Sequence, residues 1–286
     1  MRPHDDYLEL LKNCLTASVY EESSWRVVEG PMAREAGIVA SIKRRLVAAL
    51  NRRGLRIVRT ERYNAAMREQ GLDWPLFGFT MVGARRLNNL QFCIEGILRS
   101  EVPGCFVETG VWRGGSSIFA KAVFRRYGAD DRVVWCCDSF EGMPSPSRKD
   151  LMIDANSDFS DRNYLTVSKE QVAENFRKFG LLDSNVKFLK GWFCDTLPDA
   201  PIGAIAILRM DGDLYESSMD ALKNLYHKIS IGGYIIVDDY NSWKGCRQAV
   251  DEFRELSNIQ DPISVIDAHA VFWRKSCVPL AAGRVV

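Results

Sequence analysis

Phe106-Val-Glu-Thr-Gly-Val-Trp-Arg-Gly-Gly-Ser-Ser117 passes from an apolar run through a glycine turn into a stretch of helical periodicity. A strand, a turn whose glycines let the backbone approach a ligand, and a helix that opens on free N–H groups form the first unit of an open α/β sheet. From about residue 104 the alternation continues. Strands are expected over Cys105–Thr109, Arg132–Asp138, Val186–Gly191, Ala204–Asp211, Tyr234–Tyr240, Ile263–His269 and Ala270–Arg274. Helical periodicity falls between them over Ser116–Tyr127, Lys169–Phe179, Ser217–Ile229 and Cys246–Leu256. In Ser217–Ile229, for example, Met219, Leu222, Leu225, Tyr226 and Ile229 share one stripe, and Gly232-Gly233 reads as the end of that element. The last two strands abut without room for a helix. The expectation is an α/β fold, a Rossmann-like doubly wound sheet of seven strands with a terminal antiparallel hairpin, whose ligands sit beyond the carboxyl ends of the strands.

Composition narrows the function classes. At 286 residues, 47% hydrophobic and 26% charged, the chain can bury a sizeable core. Lys+Arg of 38 against Asp+Glu of 37 leave a formal net charge of +1, so no global field steers it to nucleic acid or a membrane. The opening Met1-Arg-Pro-His-Asp-Asp6 lacks the design of a signal peptide and no apolar run reaches spanning length, so a cytoplasmic protein is expected. Eight cysteines without C-x-x-C spacing read as reduced thiols. In the N-terminal third, Tyr7–Tyr20 and Arg85–Arg99 are amphipathic, the second through Leu87, Leu90, Cys93, Ile94 and Ile97. Between Lys43 and Arg62 eight basic residues stand against one acid, Glu61, and read as a solvated helix face because no stacking aromatics are interleaved. Polar Asp150–Lys169 is too long for a simple connection in a compact domain, and residues 145–169 are expected to form a mobile lid over the site.

The glycine spacing, Gly110-x-x-x-Gly114-Gly115, is not the G-x-G-x-x-G of dinucleotide binders, and Glu108 stands two residues before the first glycine. An acidic group there suits a cation, such as the amino or sulfonium end of S-adenosylmethionine, better than a pyrophosphate. Asp138 ends the next strand, Val133-Val-Trp-Cys-Cys-Asp138, where a carboxylate can accept both ribose hydroxyls of an adenosyl group.

Four more carboxylates end two consecutive strands: Asp211 and Asp213 in Leu208-Arg-Met-Asp-Gly-Asp-Leu-Tyr215, Asp238 and Asp239 in Tyr234-Ile-Ile-Val-Asp-Asp-Tyr240. Either pair alone could be a turn or a cap. Together they repel and raise one another's pKa, so folding gives little reason to gather them, whereas a divalent cation would. Hard oxygen ligands without His or Cys suit Mg²⁺ rather than zinc, with Asp211, Asp238 and Asp239 as ligands. Asp213, past a glycine, can face the same cavity as general base toward a substrate hydroxyl. A nicotinamide-dependent oxidoreductase has no use for the second aspartate pair, and a non-enzymatic nucleic-acid-binding module has none for either pair. His227 reads as a partner of its helix dipole and His269 as structural.

These residues together resemble the TylF/macrocin O-methyltransferase family. The shared wording is Val107-Glu-Thr-Gly-Val-Trp-Arg-Gly-Gly115, Asp138-Ser-Phe-Glu-Gly-Met-Pro144, Gly191-Trp-Phe-Cys-Asp-Thr-Leu-Pro198, Arg209-Met-Asp-Gly-Asp-Leu-Tyr215, Gly232-Gly-Tyr-Ile-Ile-Val-Asp-Asp-Tyr240 and Cys246-Arg-Gln-Ala-Val-Asp-Glu-Phe253, covering roughly residues 75 to 275. The resemblance implies a class I, Mg-dependent enzyme that moves the methyl of S-adenosylmethionine to a hydroxyl of a natural-product sugar, most readily a deoxysugar. A phenolic or nucleoside acceptor would use the same metal and base. It also implies that Glu108, Thr109, Gly110, Ser116, Asp138 and Ser139 contact the cofactor, that Trp192 lies near its adenine and that Thr80-Met81 approach its methionine end. Metal ligation by Asp211, Asp238 and Asp239 and proton abstraction by Asp213 are implied as well. On this reading residues 1–75 are a helical extension for homodimer contacts or substrate cover, and residues 76–286 the methyltransferase domain. The stretch from about Arg26 to Asn64 departs from the family pattern in being longer and more basic.

Overall fold

A computed structural model describes residues 6–27, 38–53, 58–153 and 163–276. The chain opens with α1 (Asp6–Leu15), then β1 (Ser24–Val27), α2 (Ile38–Arg52) and β2 (Val58–Glu61), the two strands pairing antiparallel, then α3 (Ala65–Gln70) and α4 (Ala84–Arg99). α1 is no appendage. Leu8, Leu11 and Leu15 are buried in one core with Leu87, Leu90 and Ile94 of α4 and with Phe119 and Val123, so packing runs across the expected boundary at residue 75. No helix among the described residues is long and apolar enough to cross a membrane.

The main sheet consists of β3 (Cys105–Thr109), β4 (Val134–Asp138), β5 (Val186–Lys190), β6 (Ile205–Met210), β7 (Ile229–Val237), β8 (Ser264–Val265) and β9 (Val271–Arg274), in the order β5-β4-β3-β6-β7-β9-β8. Parallel pairing holds from β5 to β7, and β9 and β8 follow antiparallel as the expected hairpin. Between the strands run α5 (Gly115–Arg126), α6 (Arg148–Ile153), α7 (Lys169–Lys178), α8 (Phe193–Thr196), α9 (Tyr215–Leu225) and α10 (Lys244–Leu256). Every residue of β3 and β6 is buried, as parallel strands covered on both faces require. From their seam the chain leaves toward β4 on one side and β7 on the other, which makes it the topological switch point where such sheets bind ligands. Register completes the assembly. Thr109 pairs with Met210 and Met210 with Val237, so Gly110, Asp211 and Asp238 emerge side by side.

Two expectations are corrected. β7 starts at Ile229, where the apolar stripe predicts helix, because α9 stops at Leu225 and a 3-10 turn spans Tyr226–Lys228. Gly232-Gly233 therefore lie inside a strand rather than before it. The β6–β7 register slips between Ile205 and Ile207, and a Cβ on Gly233 would come within 2.7 Å of the Ala206 carbonyl, so the glycines permit a bulge. The hairpin is also shorter than expected. Asp267 Oδ1 accepts the N–H groups of His269 and Ala270 and turns the chain before β8 can extend.

Gly110 holds the seam together. Its φ is +88°, and a Cβ there would lie 1.7 Å from the Asp211 carbonyl oxygen. Gly128 has a similar φ of +71° but open space around it. In urea unfolding, Gly110→Ala is expected to cost at least about 2 kcal/mol more than Gly128→Ala, which carries only the left-handed penalty of roughly 1–2 kcal/mol. Equal costs would mean that the seam yields freely.

Candidate active site

Arg209 sits in the middle of an otherwise apolar strand and is 3% exposed. Nη1 donates to Glu108 Oε1 at 2.8 Å and to Asp211 Oδ2 at 2.9 Å, and Nη2 donates to Asp238 Oδ1 at 2.5 Å. The second oxygen of Asp238 accepts from Arg86 Nη1 on α4, whose Nε donates to Asp267 Oδ2 at 2.7 Å. Ser117 Oγ donates to the remaining oxygen of Glu108. Burial opposes both guanidinium charges, but the carboxylates around them outweigh it and hold both groups above their usual range. A planar fork that cannot lose its proton is the one side chain able to tie carboxylates from three strands together. Neither arginine is assigned a role by the sequence reading, although each leaves a signal. Arg209 interrupts Ile205-Ala-Ile-Leu-Arg-Met210, and Arg86 shares a helical face with Leu90, Cys93 and Ile97. A cation at a core-facing position demands a buried partner.

Beyond this network, Asp211, Asp213 and Asp239 each bring one carboxylate oxygen to within 4.8 Å of the others. Asp213 has φ +53°, a left-handed backbone uncommon for a residue with a side chain. No described residue donates a hydrogen bond to it, and Oδ2 of Asp239 is buried without a partner. Burial first, then the neighbouring carboxylates, pushes Asp213 up to about 8 and raises Asp211 and Asp239 as well. An orphaned oxygen and three carboxyl groups within reach of one ion fit a divalent cation. Among the expected ligands, Asp211 and Asp239 come together. Asp238 does not join that group, because Arg209 and Arg86 engage both of its oxygens, and Asp213 takes its place.

Two chambers flank the cluster. The first, about 460 Å³, is lined by Met81, Gly110, Asp138, Ser139 and Trp192, by Gly142, Met143 and Pro144, and by Ser145 and Ser147 of the lid. Asp138 both lines it and holds the glycine turn. One carboxylate oxygen accepts from Val111 N at 2.6 Å, the other from Phe140 N at 2.7 Å and Ser139 Oγ at 3.3 Å. Burial raises its pKa against the pull of these donors. The second chamber, about 350 Å³, is lined by Glu108, Ser116, the four clustered aspartates, Arg86, Trp74, Trp243 and His269. Met81, Trp112, Asp211 and Asp213 line both. Volumes of this size suit small molecules.

Some site residues are not where the sequence reading puts them. Thr109 lines neither chamber, and its buried hydroxyl has no partner. The N-terminus of α5 is not wholly free, since Gly115 N donates to Phe79 O at 3.0 Å. A Cβ on Gly115 would lie 2.6 Å from that oxygen, so the glycine admits the 79–80 segment as well as a ligand. His269 stands on the rim of the second chamber with Nδ1 2.6 Å from Ser242 Oγ. Residues 154–162 of the expected lid lie outside the described residues.

Comparison with known proteins finds a matching family model and several relatives. The family model "Macrocin-O-methyltransferase (TylF)" matches residues 4–275. The 8-demethyl-8-(2,3-dimethoxy-alpha-L-rhamnosyl)-tetracenomycin-C 4'-O-methyltransferase of Streptomyces olivaceus is 53% identical over 205 residues, covering 71% of this chain and 78% of that one. The mycinamicin III 3''-O-methyltransferase of Micromonospora griseorubida is 47% identical over 212 residues, covering 73% and 83%. Among solved structures, the O-methyltransferase NovP superposes with a TM-score of 0.79 at 41% identity, over 95% of this chain and 98% of that one.

The raised carboxyls have a thermodynamic consequence. An acid whose folded pKa lies above its unfolded value near 4 holds its proton more tightly when folded, so its stabilising effect is complete below that pH and is lost as pH rises through the folded pKa. Asp213 at about 8 and Glu108 at about 7 therefore weaken the fold between roughly pH 4 and pH 8. Melting in EDTA is expected to show a falling Tm from pH 5 to pH 8, with a shallower fall in Asp213→Asn. Parallel slopes for the two proteins would contradict the shift.

Proposed function

The chain belongs to the TylF macrocin O-methyltransferase family and is an S-adenosylmethionine-dependent O-methyltransferase, and from that premise we propose that it methylates a sugar hydroxyl of a glycosylated natural product with Mg²⁺ at its aspartate cluster. The observation that carries this reading is the meeting of two chambers at Asp211 and Asp213. One chamber has the residues for an adenosyl group: Asp138 and Ser139 for the ribose, Trp192 for the adenine, and Gly110 with Met81 toward the methionine end. Glu108 and Ser116 face the same junction from the second chamber.

The second chamber takes the acceptor. Trp74, Trp112 and Trp243 offer flat apolar faces to the C–H face of a sugar ring, while Ser242 and His269 offer polar groups to its hydroxyls. Leu72 and Trp74 also line it, which supports a substrate-covering role for part of residues 1–75. Asp211 and Asp239 would hold Mg²⁺, while Asp238, its oxygens taken by Arg209 and Arg86, would stand beside them outside the group.

When bound, S-adenosylmethionine supplies a methyl group activated by its sulfonium, and Mg²⁺ supplies charge that lowers the pKa of an acceptor hydroxyl. Asp213 has its carboxylate free of donors and faces both chambers, so it takes the hydroxyl proton. Arg209 and Arg86 hold the neighbouring carboxylates still, so the groups meet in a fixed geometry and alignment supplies much of the rate. The tryptophan walls keep water from the reacting oxygen.

With the rhamnosylated tetracenomycin acceptor of the Streptomyces olivaceus relative as first probe and other glycosides after it, methyl transfer should stop in EDTA and return with Mg²⁺. Asp213→Asn should lower kcat by about 10²-fold or more while S-adenosylhomocysteine binds as before. Full turnover in EDTA would remove the metal from the reading, and unchanged kcat would remove Asp213 as base.

A further inference from the structure

Asp150 takes no part in the chemistry above, yet it is 3% exposed on a helix of six residues in the lid. A carboxylate buried there has to find donors. One oxygen accepts from Ser147 N at 2.8 Å while Ser147 Oγ accepts from Asp150 N at 3.1 Å, a reciprocal pair that closes the first turn of α6. The other oxygen accepts from Glu216 N at 3.3 Å, in the first turn of α9. Around this bond α6 is docked further. Lys149 Nζ lies 3.5 Å from the centre of the Tyr215 ring, Tyr215 Oη donates to Glu252 Oε2 at 2.5 Å, and Ile153 packs against the cluster of Tyr215, Met219 and Ala249.

Both sides of this junction face the first chamber. Ser145 and Ser147 come from the lid, Leu214 and Ser217 from the start of α9. Leu214 follows directly on Asp213, and its N–H closes on Gly212 O at 2.5 Å. The wall around the adenosyl chamber and the turn that aims the base are thus consecutive in the chain, and Asp150 is the buried carboxylate that bonds the lid to the backbone there.

We propose that Asp150 is a latch that fixes residues 145–153 onto the first turn of α9, so that retention of the cofactor and placement of Asp213 depend on the same contact. It is a positioning residue, because backbone donors already occupy both its oxygens. The inference rests on the reading of the first chamber as the cofactor site. Linkage makes the coupling reciprocal: a ligand that fills the chamber tightens the α6–α9 junction, and loss of the junction weakens the ligand's binding, which a contact that retains the ligand shows as faster release.

The test is S-adenosylhomocysteine release by stopped flow, paired with hydrogen exchange of wild type and Asp150→Ala. In the wild type the ligand should slow exchange at residues 145–153 and 214–217. In Asp150→Ala that protection should disappear and release should quicken by about tenfold or more, while exchange in β3 and β6 stays as in the wild type. Asp150→Asn keeps one acceptor oxygen and should fall between the two, which serves if the alanine variant does not fold. Unchanged release in either folded variant, or a wild type whose 214–217 amides ignore the ligand, would overturn the latch. A wild type that binds no S-adenosylhomocysteine would overturn the cofactor reading itself, and the latch with it.

Discussion

A guanidinium buried among carboxylates at the ends of three adjacent strands sets the terms for everything around it. Arg209 can stay charged inside the protein only because Glu108, Asp211 and Asp238 reach it from β3, β6 and β7, and they reach it only in the observed register. Removing one partner from such a group leaves an uncompensated buried charge, which costs about 3–5 kcal/mol, far more than the intact pair contributes. The network therefore fixes the alignment of the sheet at its switch point. Arg86 carries the constraint outward to α4 and, through Asp267, to the hairpin turn that presents His269. Carboxyl groups still outnumber guanidiniums at the site, and the excess gathered in Asp211, Asp213 and Asp239 favours a cation that can displace their protons.

The two chambers draw some of their walls from different parts of the chain. Those of the first come from the ends of β3, β4, β5 and β6, the strands whose order defines the fold, together with the lid segment docked on α9. The second shares Met81, Val111, Trp112, Met143 and Leu165 with the first and adds Gly71, Leu72, Trp74, Ser242, Trp243 and His269. Those added residues can change without touching the walls of the first chamber. Asp211 and Asp213 belong to both chambers and cannot change so freely.

Much of this was legible in the sequence. The succession of strands, the parallel sheet with its closing hairpin, the glycine turn with Asp138 and the paired aspartates all rest on local patterns: periodicity, a turn and strand ends. What stayed hidden depends on contacts between distant residues. Arg86 meets Asp238 and Asp267 across 152 and 181 positions, and no local pattern announces which carboxylate a core-facing arginine will find. For the same reason Asp238 reads as equivalent to Asp239, although one is bound by arginines and the other carries an oxygen without a partner. At Ile229 a helical stripe runs on into a strand because buried apolar residues satisfy both periods. Asp150 looked like one polar residue in a polar loop until its donors placed it against α9.

Calorimetric titration of Mg²⁺ into the S-adenosylhomocysteine complex shows whether the aspartate cluster is a metal site. A saturable single-site isotherm is expected, with proton release near pH 7 because Asp213 and its neighbours give up protons they hold too tightly. Asp239→Asn should remove the heat while leaving the complex with S-adenosylhomocysteine intact. No saturable heat in the wild type, or an unchanged isotherm in Asp239→Asn, would contradict a metal site there.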